Sequence, residues 1–245
     1  MARIFITGSA DGLGRNAAEA LLADGHDVVV HARSHERLNA VADLRERGAY
    51  AVVGDLSDLS ATRELTEQVD SLGQIDAVIH NAGAGIGSGK ILLPVNVVAP
   101  YVLTASMQRP GRLIYLSSGM HRGGSAALDG LDWSGATETA DYSDSKLLVT
   151  ALTMAVAHRW PDVLSNAVDP GWVPTRMGGP NAPDDLDQGH VTQAWLAVSG
   201  DEEAMTSGGY WHHQRREDPH PATLDPAFQG ALIEALTRHT GIPLR

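Results

Sequence analysis

The stretch Ile4-Phe5-Ile6-Thr7-Gly8-Ser9-Ala10-Asp11-Gly12-Leu13-Gly14 decides the fold of this 245-residue chain. Its apolar beginning, Ile4–Thr7, is typical of a buried strand, and an alanine-rich helical pattern begins near residue 13. Between them, the spacing Gly-x-x-x-Gly-x-Gly allows a tight turn and lets the backbone approach a pyrophosphate at the positive end of a helix. Because the motif lies between a strand and a helix, it predicts a dinucleotide-binding βαβ unit.

The same alternation of short β-branched runs and helical patterns continues along the chain. Strands are predicted at Ile4–Thr7, Asp27–His31, Tyr50–Val53, Ile75–His80, Arg112–Leu116, Val163–Val168 and Gly209–His212, and helices near 13–24, 35–47, 58–72, 91–108, 143–160 and 226–239. This order predicts one α/β domain over 1–245, a Rossmann-type, doubly wound, mostly parallel seven-stranded sheet with helices on both faces. The Gly- and Pro-rich segment 171–188 interrupts the alternation, and we interpret it as a substrate lid.

Composition excludes several classes of function. The net charge of −12, with acids spread along the chain, argues against nucleic acid or an anionic membrane as the main partner. The chain has no cysteine and its eleven histidines show no metal-ligand spacing, so thiolate chemistry is excluded and no metal is expected. Three residues before the first strand leave no room for a signal peptide, and no apolar run approaches the roughly 20 residues that span a bilayer. We therefore expect a cytoplasmic protein.

Tyr142 and Lys146 are the candidate acid–base pair. Their i, i+4 spacing places both side chains on one face of a predicted helix. An ammonium beside a phenol favours phenolate, so Lys146 is predicted to lower the pKa of Tyr142 from its reference of about 10. Such a phenol can donate and accept a proton near neutral pH.

Further motifs surround this pair in chain order. Asn81-Ala82-Gly83 ends the fourth predicted strand, Ser117-Ser118-Gly119-Met120-His121 follows the fifth, and Asp169-Pro170-Gly171 follows the sixth. With the glycine motif and Tyr142–Leu147, these segments resemble the short-chain dehydrogenase/reductase family over nearly the whole chain. The segments around Ser118 and Tyr142 are similar to its retinol-dehydrogenase-like branch.

The resemblance implies hydride transfer between a nicotinamide and a carbonyl or alcohol of a small molecule. In the family's order, Asn96, Ser118, Tyr142 and Lys146 form the catalytic tetrad, with Tyr142 as proton donor and Ser118 bonded to the same oxygen. Lys146 would bind the nicotinamide ribose, and Asn96 would hold a water that links Lys146 to solvent. Two alternatives remain: a catalytically silent regulator that binds NAD(P), and a sugar epimerase or dehydratase, for which the chain looks too short.

Two local points qualify the tetrad. The spacing from Gly83 to Asn96 is shorter than the family usually shows, so the fourth helix should be abbreviated or shifted. Ser117 and Ser118 are adjacent at a strand end, and only one of them should face the site. The resemblance favours Ser118, which leaves Ser117 as a buried hydroxyl bonded to backbone.

The cofactor is predicted to be NADP(H), with NAD(H) as the alternative. The second strand ends without an acid that could hold a ribose 2′-hydroxyl, and Arg33 is placed to pair with a 2′-phosphate. Arg37 either assists or is solvated surface, while Asp11 would repel that phosphate. Asp55 resembles the family's adenine-contacting acid, and the alternative is an N-cap for the next helix, a role that Ser57 or Asp58 fills as well. The predicted cofactor contacts are Thr7, Gly8, Gly12, Leu13, Gly14, Arg33, Asp55, Leu56, Asn81, Ala82, Gly83, Tyr142, Lys146, Pro170, Gly171, Val173 and Thr175.

The substrate pocket is predicted from apolar residues beside the catalytic motifs. They are Trp172, Val173 and Met177 after the Pro-Gly segment, and Met120, His121 and Trp133 beyond Ser118. Their size indicates a bulky hydrophobic carbonyl compound, unless they only pack the lid. The resemblance implies a homodimer or homotetramer, and the apolar stretch 147–157 fits either an interface or a buried helix.

Overall fold

The structure is a computed structural model that describes all 245 residues. Its strands are β1 (Arg3–Ile6), β2 (Asp27–Ala32), β3 (Tyr50–Val53), β4 (Ala77–His80), β5 (Arg112–Leu116), β6 (Leu164–Asp169), β7 (Gly209–His212) and β8 (Arg215–Glu217). They form one sheet in the order β3-β2-β1-β4-β5-β6-β7-β8, parallel from β3 through β7, with β8 antiparallel to β7. The strand order reverses between β1 and β4, where a doubly wound sheet opens a crevice at the carboxyl ends of its strands.

The central strands are apolar on both faces. Phe5 of β1 joins one core cluster, whereas its neighbours Ile4 and Ile6 join the cluster on the opposite face. In β2, Val29 likewise joins the first cluster, and Val28 joins the cluster on the opposite face. Successive side chains alternate across a strand, so near-continuous apolar runs require helices on both sides of the sheet.

The helices divide between those two faces. They are α1 (Gly12–Ala23), α2 (Ala42–Glu46), α3 (Leu59–Asp70), α4 (Ala99–Ser106), α5 (Tyr142–Arg159), α6 (Val191–Val198) and α7 (Pro226–Thr240). On one face lie α1, α2 and α6, and on the other lie α3, α4, α5 and α7. The predicted fold class is therefore confirmed.

The sheet has one strand more than predicted. The added strand β8 consists of exposed Arg and Glu residues, so it carries no apolar pattern. It follows a two-residue turn in which His213 and Gln214 both have positive φ, 47° and 60°. Such hairpin turns are usually marked by Asn or Gly, and here that signal is missing. Helix α6 was also missed.

The helix predicted over 91–108 is broken, as the short spacing before Asn96 indicated. A 3₁₀ turn at Gly89–Ile91 leads into a π-helical turn at Pro94–Val98, and only then does α4 begin. Proline has no N–H to donate to the preceding turn, and two prolines lie in this stretch. By length and hydropathy Gly89–Ser106 could cross a membrane, contrary to our expectation, and 67% of it is buried inside the domain.

Helix α5 is buried within the chain. Every residue from Ser145 to Val156 is buried, because β5 and β6 cover one side of the helix and α7 covers another. Leu232 and Leu236 of α7 join the same core cluster as Leu152. Of the two interpretations of 147–157, the structure supports a buried helix, and the oligomeric state stays a prediction.

His80 should make the fold sensitive to acid. Its ring is buried, stacks on Tyr115 at 4.6 Å between ring centroids, and burial lowers its pKa from 6.5 to about 3. The unfolded chain binds this proton near pH 6.5, so stability is full above that pH and is lost as the pH falls towards 3. We expect His80 to lower the free energy of unfolding by about 2 kcal/mol between pH 7 and pH 5.

Urea denaturation of wild type and His80→Gln at both pH values measures this effect. Glutamine stays neutral and can still bond to Thr104, whose hydroxyl lies 3.2 Å from His80 Nε2. The variant should lose most of the acid sensitivity. An identical pH dependence in the two proteins would show that His80 is not its source.

Candidate active site

A cleft of about 510 Å³ runs along the carboxyl ends of the strands at the reversal of strand order. Thirteen of the predicted cofactor contacts line it: Gly8, Gly12, Leu13, Arg33, Asp55, Leu56, Asn81, Ala82, Gly83, Tyr142, Lys146, Pro170 and Thr175. The other four, Thr7, Gly14, Gly171 and Val173, do not line it. The cleft also holds residues that the sequence did not single out, among them His31, Ile91, Val95 and Arg176.

The glycine loop is held in shape by the Asn-Ala-Gly segment. Asn81 Nδ2 donates to the carbonyls of Thr7 and Gly8 at 3.0 and 3.2 Å, and Ala82 N donates to Thr7 Oγ1 at 3.0 Å. A Cβ at Gly14 would lie 2.3 Å from Asn81 Nδ2, so only glycine fits there. The backbone is thereby kept close to the cleft floor.

The N-terminus of α1 is open to an anion. Its N-cap, Asp11, makes no capping hydrogen bond with its side chain, so the first backbone N–H groups of the helix have no side-chain acceptor. Thr175 of the lid lies over this loop, since its Cγ2 is 3.6 Å from a Cβ built on Gly12. A glycine cradle at a helix N-terminus inside a cleft of this length fits a dinucleotide.

His31 fixes the loop from the second strand. Its Nδ1 accepts from Gly8 N at 3.0 Å, and its Nε2 donates to Gly54 O at 2.8 Å, which assigns the neutral ring with the proton on Nε2. Burial lowers the pKa of His31, in keeping with that state. A polar residue directly after Val28-Val29-Val30 was the signal that could have identified it.

One end of the cleft is cationic. Arg33 is exposed there and takes part in no ion pair or side-chain hydrogen bond, whereas Arg37 pairs with Asp11 at 3.0 Å. The Arg37 pairing compensates the acid that would repel a 2′-phosphate. Asp55 faces the cleft and accepts from the backbone and hydroxyl of Ser57 at 2.9 and 2.7 Å. The N-cap of α3 is Asp58, so the N-cap interpretation of Asp55 was wrong.

The other end of the cleft holds Tyr142 and Lys146, the candidate acid–base pair. Tyr142 is the first residue of α5, which begins with a capping box between Asp141 and Asp144. Lys146 Nζ lies 5.5 Å from the centre of the Tyr142 ring and donates to Leu116 O at 2.7 Å. One helical turn and one strand end therefore fix phenol and ammonium relative to each other.

The pKa of Tyr142 is shifted in the direction opposite to our prediction. Burial raises it, interaction with the Ser118 side chain lowers it, and the charge of Asp169 raises it. Burial also lowers the pKa of Lys146 to about 8, against the charge of Asp169. The phenol is thus protonated at neutral pH, which suits a proton donor.

Only one of the two adjacent serines, Ser118, faces the site, as predicted. Ser117 lines the cleft wall, but its Oγ points inward to Thr150 Oγ1, 2.7 Å away, so its partner is mainly a hydroxyl and not backbone. Ser118 is half-buried, its hydroxyl accepts from Met120 N at 3.2 Å, and the same hydroxyl lowers the pKa of the Tyr142 phenol. Ser118 is therefore the serine that can bond to the oxygen of a substrate at Tyr142.

Asn96 braces the floor of the cleft. Its Nδ2 donates to Ala84 O at 3.0 Å and to Ser145 Oγ at 2.9 Å, and its Oδ1 accepts from Ala84 N at 2.7 Å. Both amide donors are thus used to join the loop after Gly83 to α5. Asn96 Oδ1 and Lys146 Nζ each lie 3.6 Å from a Cβ built on Gly83, so both side chains approach the same point of this loop. The predicted role of Asn96 in holding a water stays a prediction.

The lid segment 171–188 has no helix or strand and is held together by hydrogen bonds between its own residues. Asp184 accepts from Trp172 N at 2.6 Å and donates through its own N to Trp172 O at 3.0 Å. Gly171 has φ +81°, and a Cβ there would meet Asp184 Oδ2 at 2.7 Å. Within this segment, Val173 is buried. The lid therefore reaches the cleft mainly through Thr175, Arg176 and Met177.

The predicted pocket residues fall into two groups. Met120, Trp172 and Met177 are 45%, 59% and 53% exposed, and Met177 lines the cleft. His121 is fully buried, with Nδ1 2.7 Å from Ser118 O, so it supports the serine instead of facing a substrate. Trp133 lines a separate cavity behind Leu56, and its placement in the substrate pocket was wrong.

Comparison with known proteins agrees with this geometry. A family model described as short chain dehydrogenase matches residues 2–185. Short-chain dehydrogenase chry4 of Gibberella zeae is 37% identical and covers 100% of this chain and 99% of its own length. Human retinol dehydrogenase 13 is 27% identical over 71% of this chain and 60% of its own. A blue fluorescent protein from a metagenomic library, solved in complex with NADPH, superposes with a TM-score of 0.70 at 23% identity over 86% of this chain and 95% of its own.

The chain belongs to the short-chain dehydrogenase family and is an oxidoreductase with a Rossmann-type fold. Within that family it is similar to the retinol-dehydrogenase-like members.

Proposed function

We propose that this enzyme is a cytoplasmic NADP(H)-dependent reductase of bulky hydrophobic carbonyl compounds, with Tyr142 as the proton donor. One observation supports it above the others. A single cleft joins the cationic end at Arg33 to the end that holds Tyr142 and Lys146. A dinucleotide that extends along this cleft would bring its reactive ring beside the phenol.

Each of three residues has its own role in the proposed reaction. A bound nicotinamide would supply the hydride. Tyr142 donates its proton to the carbonyl oxygen as that oxygen gains negative charge, and Ser118 holds the same oxygen in line by a hydrogen bond. Lys146, nearly fully buried, provides positive charge beside the phenolate that remains after the proton has left Tyr142.

The substrate end of the cleft supports a hydrophobic ligand. Ile91 and Met177 line it and are 45% and 53% exposed, with exposed Met120 beyond the catalytic serine. Exposed large apolar side chains around a cleft mark a binding surface, because covering them with an apolar ligand removes area from water.

The substrate class is tested by NADPH oxidation with graded series of ketones, aldehydes and quinones. Turnover should rise with the apolar size of the compound. Met177→Ser should raise KM for the largest substrates by about tenfold, the effect of losing roughly 1.4 kcal/mol of apolar contact, and should change KM little for the smallest. Leu224→Ser is the matched control, since Leu224 is 52% exposed and lies outside the cleft.

Equal KM changes for small and large compounds would contradict the hydrophobic substrate site. No reduction of any carbonyl compound with either NADPH or NADH, and no oxidation of the corresponding alcohols, would refute the proposed reaction.

A further inference from the structure

His31 joins three strand ends beside the glycine loop. It lies in β2 and is 2% exposed. Its Nδ1 accepts from Gly8 N at 3.0 Å, and its Nε2 donates at 2.8 Å to the carbonyl oxygen of Gly54, which follows β3. Its own backbone N donates to Ser9 Oγ at 2.7 Å, and that hydroxyl donates to Ile6 O at 2.9 Å. One residue therefore connects the glycine loop to β2 and to the end of β3.

Both loops that bond to the His31 ring form walls of the cleft. Gly8 lines the cleft with φ +64°, and a Cβ built on it would lie 2.8 Å from Ala82 Cα. The loop backbone is thus already in close contact with its neighbour on that side. On the other side, Gly54 leads directly into Asp55, which lines the cleft. The imidazole that spans the two loops therefore sets the distance between them.

Only one protonation state of His31 satisfies both hydrogen bonds. A backbone N–H can only donate and a backbone carbonyl can only accept, so Nδ1 must be bare and Nε2 must carry the proton. A second proton on Nδ1 would set the ring N–H against the N–H of Gly8, two donors at the distance of one hydrogen bond. Buried donors without an acceptor are unfavourable, and a charged one is more so. A cationic His31 must therefore give up its contact with the glycine loop.

The charged residues at this end of the cleft come from three segments. They are Asp55 from the loop after β3, Asp11 from the glycine loop, and Arg33 and Arg37 from the chain after β2. Burial lowers the pKa of His31, and the hydrogen bond to its carbonyl partner and the charge of Asp55 oppose that change. Arg37 and Asp11 pair with each other at 3.0 Å. Burial thus favours the same neutral ring that the hydrogen bonds require.

We propose that His31 is a positioning residue whose neutral ring shapes the glycine loop for the cofactor pyrophosphate, so that a dinucleotide binds tightly only to protein with unprotonated His31. This inference rests on the proposed cofactor site and is independent of the reaction at Tyr142. If Gly8 leaves the ring, the backbone N–H groups at the N-terminus of α1 no longer converge on one anion. Cofactor and proton therefore oppose each other, and binding at low pH releases a proton.

The test is the Kd for NADP⁺ at pH 7 and pH 5 in wild type and His31→Gln, with folding checked at both pH values by circular dichroism. Glutamine keeps one acceptor and one donor but takes up no proton, so at pH 7 the two Kd values should agree within about twofold. At pH 5 the Kd of wild type should rise at least about threefold more than that of His31→Gln. The cofactor 2′-phosphate also titrates at a pH of about 6, and the comparison of the two proteins cancels that contribution.

His80→Gln is the matched control, because His80 is also buried and lies outside the cleft. Its Kd should keep the pH dependence of wild type. Ring-nitrogen NMR of wild type needs no His31 variant that folds. The spectrum should show a neutral His31 with its proton on Nε2, and NADP⁺ should lower the titration midpoint of this ring by at least about half a pH unit.

An equal rise of the Kd in wild type and His31→Gln would overturn the proposal, as would a His31 ring that behaves the same with and without NADP⁺ down to pH 5. Wild-type protein that binds neither NADP⁺ nor NAD⁺ at either pH would refute the proposed cofactor site and this inference with it. Wild type that binds NADP⁺ but reduces no carbonyl compound would refute only the proposed reaction.

Discussion

Tyr142→Phe is expected to bind NADPH as wild type does and to lose at least about 10²-fold in kcat for carbonyl reduction. The variant removes one oxygen from a half-buried side chain and keeps the ring, so the fold should not change. The Tyr142→Phe variant lacks the proton that must reach the carbonyl oxygen during hydride transfer. Water can replace it only poorly, because positioned acids contribute about 10² to 10⁴-fold.

Tyr115→Phe is the matched control. Tyr115 is also buried and hydrogen-bonded, with its hydroxyl 2.7 Å from Thr104 Oγ1, but it lies outside the cleft. It should lose about 1 kcal/mol of stability and keep its kcat. Steady-state kinetics with the best substrate of the screen, together with NADPH titration by fluorescence, measure both variants. A Tyr142→Phe enzyme within a few-fold of wild type would show that another group is the acid.

The fold could be predicted from the sequence because most of its strands and helices are marked by residues within the element itself. Apolar strands such as Val28-Val29-Val30 and the glycines before α1 report burial and backbone conformation directly. The strand Arg215–Glu217 gave no such signal, because it is an exposed edge strand held by β7. The π-helical turn around Asn96 was predicted only as a shortened helix, since its geometry depends on how the loop after Gly83 packs against α5.

The sequence predicted which residues form the site better than it predicted the direction of their pKa shifts. Spacing brought Tyr142 and Lys146 together, yet it could not show that Lys146 is buried and Tyr142 half-buried, and burial decides the direction of their pKa shifts. Nor could it show that the charge of Asp169 acts on both pKa values, because β6 and α5 come into contact only in the folded chain. His31 was missed for the same reason, since its role depends on its contacts with Gly8 and Gly54.

We expect the preference for NADPH over NADH to depend most on Arg33. As an exposed guanidinium at the cleft with no partner of its own, it is available to pair with a 2′-phosphate, which NADPH carries and NADH lacks. Charge-assisted hydrogen bonds contribute about 1.5–3 kcal/mol each, so Arg33→Ala should raise the Kd for NADPH by roughly 10- to 150-fold. The Kd for NADH should change by less than about twofold, which would erase most of the preference.

Two other arginines of the cleft make the test specific. Arg37→Ala removes the partner of Asp11 and leaves that carboxylate free at the phosphate end, so it should also weaken NADPH more than NADH. Arg176 of the lid also faces the cleft without an ion pair, beside Thr175 and the glycine loop. Any contribution of Arg176→Ala should fall equally on the two cofactors, because both carry the pyrophosphate. Titration of each variant with NADPH and NADH at two salt concentrations measures these constants, and the NADPH loss in Arg33→Ala should shrink at high salt. If wild type binds NADH as tightly as NADPH, or Arg33→Ala weakens both equally, then Arg33 does not select the cofactor.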